Sequence, residues 1–376
     1  MSQSQSNESG RKRVAVVFGG RSSEHAISCV TAGSVLKAID REKYDVVPVG
    51  IAQDGRWVLE SGDAERLRIS GRELPSVDGG AAPIALSQGA EATDLVVHEA
   101  SQPPRTLGEV DVVFPLLHGP WGEDGTIQGM FEMAGVRYVG AGVLASAVSM
   151  DKAYMKVVLA AAGLPVMPSV VVTARDWKSD PGACRERAAT LGYPLFVKPA
   201  RGGSSIGISK VHDESELDHA IEGALVHDPK LLVEAFAEGA REIECGVLQA
   251  PDGTPETSQP AEIRIGGDHE FYDFDAKYLP GEHTEIDIPA KLDDGVADAM
   301  RELAARTFEA VGCEGLARVD FFVMPDGALI VNEINTMPGF TPTSMYPQMW
   351  AASGVDYPEL VDRLIQLALA RDLGLR

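Results

Sequence analysis

VNEINTMPG, residues 331–339, ends a strand in an unusual way. Val331 and Ile334 read as buried positions. Glu333 and Asn335 are two apart and project from one face of a strand. Upstream, ARVDFFVMPDGALIVNEIN (317–335) places two apolar runs around PDG, and Asp-Gly between alternating runs signals a hairpin. A two-residue loop at Asp326-Gly327 sets Pro325 against Ala328. Counting outward then sets Asp320 opposite Glu333 and Arg318 opposite Asn335. Two carboxylates facing each other across a ladder repel, so a positive group is expected between them. Oxygen ligands beside an amide suit Mg²⁺, which binds one or two carboxylates together with substrate phosphates. The alternative is a solvated sheet face on which Arg318 neutralises the pair.

The chain has 376 residues, enough for two or three domains. A hydrophobic content of 44% with 24% charged residues is that of a soluble globular protein. The net charge of −23 argues against nucleic acid or an anionic membrane as partner, so a polyanionic ligand needs a local group of Lys and Arg. Cys29, Cys184, Cys245 and Cys313 form no CxxC pair, which gives no sign of a zinc site or a disulfide framework. No apolar run is long enough for a membrane span. Residues 1–11 read as a polar disordered tail, not a signal peptide, and a cytoplasmic enzyme is the default expectation.

RVAVVFGGRSSEHAISCVTAGSVLKAID, from Arg13, reads strand, glycine turn, helix. KYDVVPVGI and VDVVFPLLHG are further buried strands, followed by a helix near IQGMFEMAG and a short strand RYVG. Strands alternating with helices imply an open parallel sheet, here an α/β domain over 12–140. Residues 60–108 lack long apolar runs and read as a loop-rich insertion. SAVSMDKAYMKVVLAAAGLP reads as one helix ending at Gly163 and Pro165. An α+β domain is expected over 141–234, with strands at PSVVVTA, LFVKP and KLLVEA. A third unit, 235–376, holds strands EIECGVLQ and EIRI, a helix at 293–313, the opening hairpin and a last helix at YPELVDRLIQLALARDLG. Residues 267–291 are long for a loop, as functional lids are. Tyr272, Phe274 and Tyr278 argue against simple disorder there.

Several stretches carry chemistry. KPARGGSSIGIS (198–209) is a glycine-rich loop between strands, whose backbone N–H groups can cradle phosphate. It fits neither GxxxxGK[ST] nor GxGxxG, and a strand follows it, which points to a hairpin folding over a nucleotide. A plain hairpin with a loose tip is the alternative. Lys152, Lys198 and Lys277 come from three segments and can converge on a triphosphate; singly, each also reads as a surface lysine. His118 ends a buried strand in LLHGPWGEDGT, where open sheets bind ligands, although a structural histidine fits as well. Glu24 in FGGRSSEHAIS opens a helix, where it serves either the helix dipole or a substrate.

Taken in order, FGGRSSEHAIS, LLHGPWGEDGTIQG, SAVSMDK, LFVKPARGGSSIGISKV, AREIECGVL, YDFDAKY, RVDFF and NEINTMPGFTPTSMYP resemble the D-alanine–D-alanine ligases of the ATP-grasp superfamily, from about residue 12 to the end. The insertion at 60–108 departs from the shortest members. The resemblance implies an ATP-grasp fold of three domains, with nucleotide between the central and C-terminal domains. It implies ATP-dependent joining of two D-alanines through an acyl phosphate, for peptidoglycan precursor synthesis, with Mg²⁺ or Mn²⁺, two ions per site, and a homodimer. By resemblance, Asp320, Glu333 and Asn335 are metal ligands, and Lys152, Lys198 and Lys277 hold ATP phosphates under a loop carrying Ser204 and Ser205. Glu234, Phe236 and Ala237 line the adenine pocket, and Glu242 contacts ribose. Glu24 receives the first substrate's ammonium and His118 lies beside its carboxylate. Arg318 and the Gly339 amide stabilise the oxyanion, and Ser344 and Met345 surround the second D-alanine. Tyr278, Glu24 and Ser204 form a triad that closes the site, and Tyr278 favours an amide over a D-lactate ester. Another ATP-grasp carboxylate–amine ligase, and a non-catalytic nucleotide-binding module, are the competing readings; the presence of Asp320, Glu333, Asn335 and Arg318 weighs against the second.

Overall fold

A computed structural model of the chain describes residues 10–71, 73–86, 93–98, 103–203, 206–265 and 284–374. Strands β1 (Lys12–Gly19) and β2 (Tyr44–Ile51) are joined by helix α1 (His25–Ala38), and β3 (Trp57–Leu59) turns back on β2. After an insertion come β7 (Val112–Pro115), α2 (Thr126–Ala134) and β8 (Arg137–Tyr138). The sheet order is β3-β2-β1-β7-β8, parallel except at β3. Alternation along β1 covers both faces: Val14, Val16 and Phe18 enter one core with Val35 and Leu36 of α1, while Ala15 and Val17 enter another with Phe131 of α2. Because β1 is paired by β2 on one side and β7 on the other, the chain switches direction at its carboxyl end, where such sheets open a ligand crevice.

The insertion is more ordered than its composition suggests. β4 (Ile84–Leu86), β5 (Asp94–Val97) and β6 (Arg105–Glu109) form an antiparallel three-stranded sheet. Ile84, Leu95 and Val97 bury against the core holding Val17 and Val49, so a few well-placed apolar residues suffice to dock it. Val77 also reaches the main domain, donating its N–H to His25 Nε2 at 3.1 Å.

The single helix expected over 146–165 is two: α3 (Val143–Met150) and α4 (Lys152–Ala161). Asp151 breaks it with an extended backbone and caps α4, accepting from Ala153 N and Tyr154 N at 3.1 Å each. Lys230 Nζ grips the same carboxylate at 2.8 Å. The next sheet, β11-β10-β12-β9, is antiparallel: β9 (Ser169–Thr173), β10 (Leu195–Pro199), β11 (Ser209–Val211) and β12 (Lys230–Ala235). Helices α5 (Ala174–Ser179) and α6 (Pro181–Ala189), absent from the sequence reading, precede β10; α7 (Glu214–Leu225) covers the sheet.

The last sheet is built on β13 (Arg241–Gln249), with β14 (Pro255–Thr257), β15 (Ala261–Ile265) and β16 (Thr284–Asp287) on one side. Helix α8 (Asp294–Ala310) then leads to β17 (Leu316–Val323) and β18 (Leu329–Asn335) on the other. The stretch read as a lid over 267–291 therefore ends in a strand, which pairs with β15 in the register Ile263↔Ile286. Lys277 and Tyr278, and Ser204 and Ser205 of the glycine loop, lie outside the described residues. Met155, Leu159 and Leu164, from the α4 segment, share a core with this sheet and α8. Helices α9 (Met345–Ala352), missed in the sequence, and α10 (Tyr357–Ala370) return to the first domain, where Trp350, Leu360 and Leu364 pack with Val14 and Val16.

The opening hairpin has the expected pairs by an unexpected route. Asp320 faces Glu333 and Arg318 faces Asn335. The turn, however, is three residues, Pro325 to Gly327, not two. Met324 N–H donates to Ala328 O at 2.9 Å, Val323 faces Leu329, and Gly327 takes φ +84°. A bulge beside Phe321, with Asn332 as the extra residue, restores the register beyond it. That is why Val331 and Ile334, three apart, are both buried.

Candidate active site

The three larger sheets surround a cavity of about 600 Å³. The crevice at the end of β1 and β7 supplies its floor. Gly19, at φ +91°, lets the chain leave β1 where a Cβ would meet Ile51 O at 2.4 Å. Ser28 Oγ accepts from Gly19 N–H at 2.7 Å and donates to Leu116 O at 2.5 Å, tying the ends of both strands together. Ser22 Oγ donates to His118 O at 2.7 Å. Glu24 and His118 are thereby brought to one place; both are buried and both line the cavity. Glu24 stands at the N-cap of α1, yet its side chain makes no capping hydrogen bond there. The His118 ring lies between Thr31 Oγ1, 3.3 Å from Nε2, and Met337 O, 3.2 Å from Nδ1. Burial holds its pKa below the usual imidazole range, although the Glu24 charge favours protonation.

The β17–β18 hairpin supplies the opposite wall. Arg318 Nε and Nη2 bind the two Asp320 oxygens at 2.7 Å each, and Nε also lies 3.1 Å from Glu244 Oε2. Burial opposes the guanidinium charge, but Asp320 and Glu244 hold its pKa well above the usual range. Asn335 Nδ2 donates to Asp320 Oδ2 at 3.1 Å, and Glu333 Oε2 lies 3.2 Å from Lys152 Nζ. Both facing carboxylates are thus already met by protein cations, Asp320 by Arg318 and Glu333 by Lys152. Gly339, Ser344 and Met345 follow at the rim, with Ser344 as N-cap residue of α9.

The central sheet closes the third side. Lys152 opens α4 and donates from Nζ to Gly202 O at 3.0 Å. Burial opposes its charge, and Glu333 first among the neighbouring carboxylates holds its pKa above the usual lysine range. Lys198 Nζ donates to Glu234 Oε1 at 2.5 Å. The Phe196 and Phe236 ring centroids are 5.8 Å apart, with Lys210 Nζ 4.6 Å from the Phe236 centroid; Ala237 and Glu242 lie beside them on the cavity wall. At Gly203 a Cβ would come within 3.1 Å of Glu24 Oε2, so the glycine loop meets the floor.

Four cavity or near-cavity groups escaped the sequence reading. Glu123 accepts from Gly119 N–H at 2.6 Å, and burial with the Glu24 charge beside it pushes its carboxyl up to about 8. Glu244 lies two residues after Glu242, and Phe196 two before Lys198. Period-two spacing from the assigned residues was the available signal. Lys156, one helical turn after Lys152, is ion-paired to Glu234. The lining carboxyl groups Glu24, Glu123, Glu234, Glu242, Glu244, Asp320 and Glu333 outnumber the lining cations Lys152, Lys198 and Arg318, among the described residues. No group of three His, Cys, Asp or Glu among the described residues is placed to hold a metal ion by itself.

Two family models match the chain: D-ala D-ala ligase N-terminus over residues 13–141 and D-ala D-ala ligase C-terminus over 158–366. The chain belongs to the D-alanine–D-alanine ligase family. A D-alanine–D-alanine ligase of Arthrobacter sp. (strain FB24) is 60% identical, covering 97% of this chain and 96% of its own. One from Streptomyces griseus is 57% identical over 97% and 95% of the two chains. Among solved structures, the VanG D-Ala:D-Ser ligase of Enterococcus faecalis superposes with a TM-score of 0.82 at 36% identity, covering 95% of this chain and 99% of its own. The D-alanine–D-alanine ligase of Coxiella burnetii gives 0.78, also at 36% identity, over 96% and 94%. The ATP-grasp architecture expected from the motifs is therefore the fold of this family. No helix among the described residues is long and apolar enough to cross a membrane.

Proposed function

We infer that this chain joins two D-alanines to D-alanyl-D-alanine at the expense of ATP, supplying a cell-wall precursor. The observation that carries this reading is full-length membership of the ligase family, together with one cavity that gathers Glu24, His118, Lys152, Lys198, Arg318 and the paired Asp320 and Glu333.

A carboxylate is a poor acyl donor at neutral pH. Phosphorylating the first D-alanine by ATP gives an acyl phosphate with a good leaving group. Lys152 and Lys198, with Lys277 and the loop serines Ser204 and Ser205, hold the phosphates. Phe236, Ala237 and the Glu234 segment hold the adenine, and Glu242 the ribose. Glu24 receives the first substrate's ammonium, and His118, held between Met337 O and Thr31 Oγ1, lies beside its carboxylate. The second amine then attacks, and an oxyanion develops. Arg318, pinned by Asp320 and Glu244, needs no reorganisation to stabilise it, and the Gly339 amide adds a second donor. Ser344 and Met345 frame the second D-alanine. Water would destroy the acyl phosphate, so closure by Tyr278 with Glu24 and Ser204 precedes transfer.

Asp320, Glu333 and Asn335 are proposed to hold Mg²⁺ or Mn²⁺, two ions per site. The donor set fits: it is all oxygen, it lies on one face of one hairpin, and the excess of carboxyl groups would otherwise repel a triphosphate. With only two carboxylates, coordination must be completed by phosphate oxygens and water. When bound, such ions neutralise phosphate charge.

Domains at 12–140, 141–234 and 235–376, a cytoplasmic location and a homodimer complete the proposal. Exposed Met133, Leu144, Tyr154 and Val157 on neighbouring helices α2, α3 and α4 support a self-association surface. The test is phosphate release from ATP with D-alanine, L-alanine, D-lactate or D-serine. Release that does not depend on D-alanine refutes the reading. D-serine enters the panel because the VanG neighbour is a D-Ala:D-Ser ligase.

A further inference from the structure

We propose that Lys156 is a positioning residue of the nucleotide site. Acting through Glu234, it orients Lys198 and leaves the buried cluster with one net positive charge to present to polyphosphate. This rests on the nucleotide-binding reading above.

Glu234 is 2% exposed and its two oxygens are divided between two ammonium groups. Oε1 accepts from Lys198 Nζ at 2.5 Å, and Oε2 lies 2.5 Å from Lys156 Nζ. Only one of these lysines faces the ligand: Lys198 lines the cavity and Lys156 does not. Lys156 lies behind the carboxylate, 5% exposed, one turn along α4 from Lys152. Lys198 alone would already neutralise Glu234, so the pair Lys198–Glu234 would have no net charge. A second buried ammonium is not needed to satisfy that carboxylate, and burying it opposes folding. What it changes is the sign of the cluster, from neutral to positive. It also fixes the carboxylate from the rear, so the Lys198 ammonium is held at one place on the wall. Carboxyl groups dominate the lining, so a cation cancelled by its own partner would leave little attraction for phosphate. Burial pulls the Lys156 pKa below the usual lysine range against the opposing charge of Glu234, while the Glu234 pKa lies below its own usual range despite burial, held there by Lys198 and Lys156; the geometry of one carboxylate shared by two ammonium groups carries the assignment.

Charge-setting predicts an effect on phosphate and not on the base. ATP and adenosine binding are measured at fixed Mg²⁺ for wild type, Lys156→Met, Lys156→Arg, Glu234→Gln and the double variant Lys156→Met/Glu234→Gln. Lys156→Met is expected to weaken ATP about tenfold while adenosine changes less than about twofold, and Lys156→Arg to stay close to wild type. In the double variant the cluster regains one positive charge, and the ATP-to-adenosine ratio returns toward wild type. Equal losses for ATP and adenosine in Lys156→Met, no loss at all, or no rescue by arginine overturns the proposal. If Lys156→Met fails to fold, Glu234→Gln and the double variant decide it. The cluster charges then differ by one, and Glu234→Gln must favour ATP over adenosine by roughly tenfold more. Equal ratios overturn the proposal. A wild-type protein that binds no ATP refutes the nucleotide reading instead, which keeps the two failures apart.

Discussion

Glu333→Gln separates the chemistry of the hairpin from its stability. The carboxylate touches Lys152 at 3.2 Å, and its side chain is 24% exposed. Glutamine keeps the shape, and the backbone pairing with Asp320 is untouched. The amide oxygen of the glutamine can still accept from Lys152 Nζ, which also keeps Gly202 O at 3.0 Å, so the loss should stay near ~1–2 kcal/mol and the midpoint of thermal unfolding should fall by no more than about 4 °C. Turnover should fall much further. Loss of one of the two carboxylates proposed to hold the metal weakens the charge neutralisation of the transferring phosphoryl group, an electrostatic loss of about 10²- to 10³-fold in kcat. The assay is D-alanine-dependent phosphate release across a Mg²⁺ titration, paired with a thermal melt; a chelator should abolish the wild-type rate. Asp320→Asn is the contrast. It removes the bidentate partner of the buried Arg318, and breaking a buried pair costs ~3–5 kcal/mol, so both turnover and stability should drop. A Glu333→Gln enzyme within about threefold of wild type at every Mg²⁺ concentration would show the reasoning wrong. So would a melting loss as large as that of Asp320→Asn.

Glu123 gives a pH signature. Its folded-state carboxyl is raised to about 8, mainly by burial, so its contribution to stability is fully present below the unfolded carboxylate pKa and is lost as pH rises through about 8. Denaturant midpoints of Glu123→Gln should therefore fall less than those of wild type between pH 5 and 8; parallel curves refute this. Gly19→Ala combines a left-handed φ with a Cβ 2.4 Å from Ile51 O and should destabilise by more than ~2 kcal/mol in chemical unfolding. Leu144 is 72% exposed on α3, which contacts the α4 helix carrying exposed Tyr154 and Val157, and Leu144→Asp should convert the proposed dimer to a monomer in light scattering without loss of fold.

The hairpin shows how much was legible in the sequence. Asp320 opposite Glu333 was derived from alternation and a turn signal. The loop was miscounted by one residue, and the bulge at Asn332 cancelled the error. Nothing local distinguishes a two-residue from a three-residue turn at PDG, since both place glycine at positive φ. The crevice at Glu24 and His118 was readable because parallel strands force ligands to their carboxyl ends. The break at Asp151 was missed because the segment is apolar and periodic on both sides of it; the cap gains a partner, Lys230, from a distant strand. Lys156 was invisible for the same reason. Its meaning depends on Glu234, across a sheet, and no spacing along the chain encodes that contact. Residues 60–108 looked loose because their three short strands bury few side chains of their own and borrow a core from β1 and β2.

The bulge has an effect on crowding at the rim. On a regular pleat only every second residue faces a given side, about 6.8 Å from the next. The inserted residue compresses that interval, and Asn332 and Glu333, adjacent in the chain, both border the same hollow. Polar groups can thus stand shoulder to shoulder there without lengthening the ribbon or displacing Val331 and Ile334 from the oil beneath. A straightened copy of this ribbon would keep its fold and lose that density of ligand-facing groups.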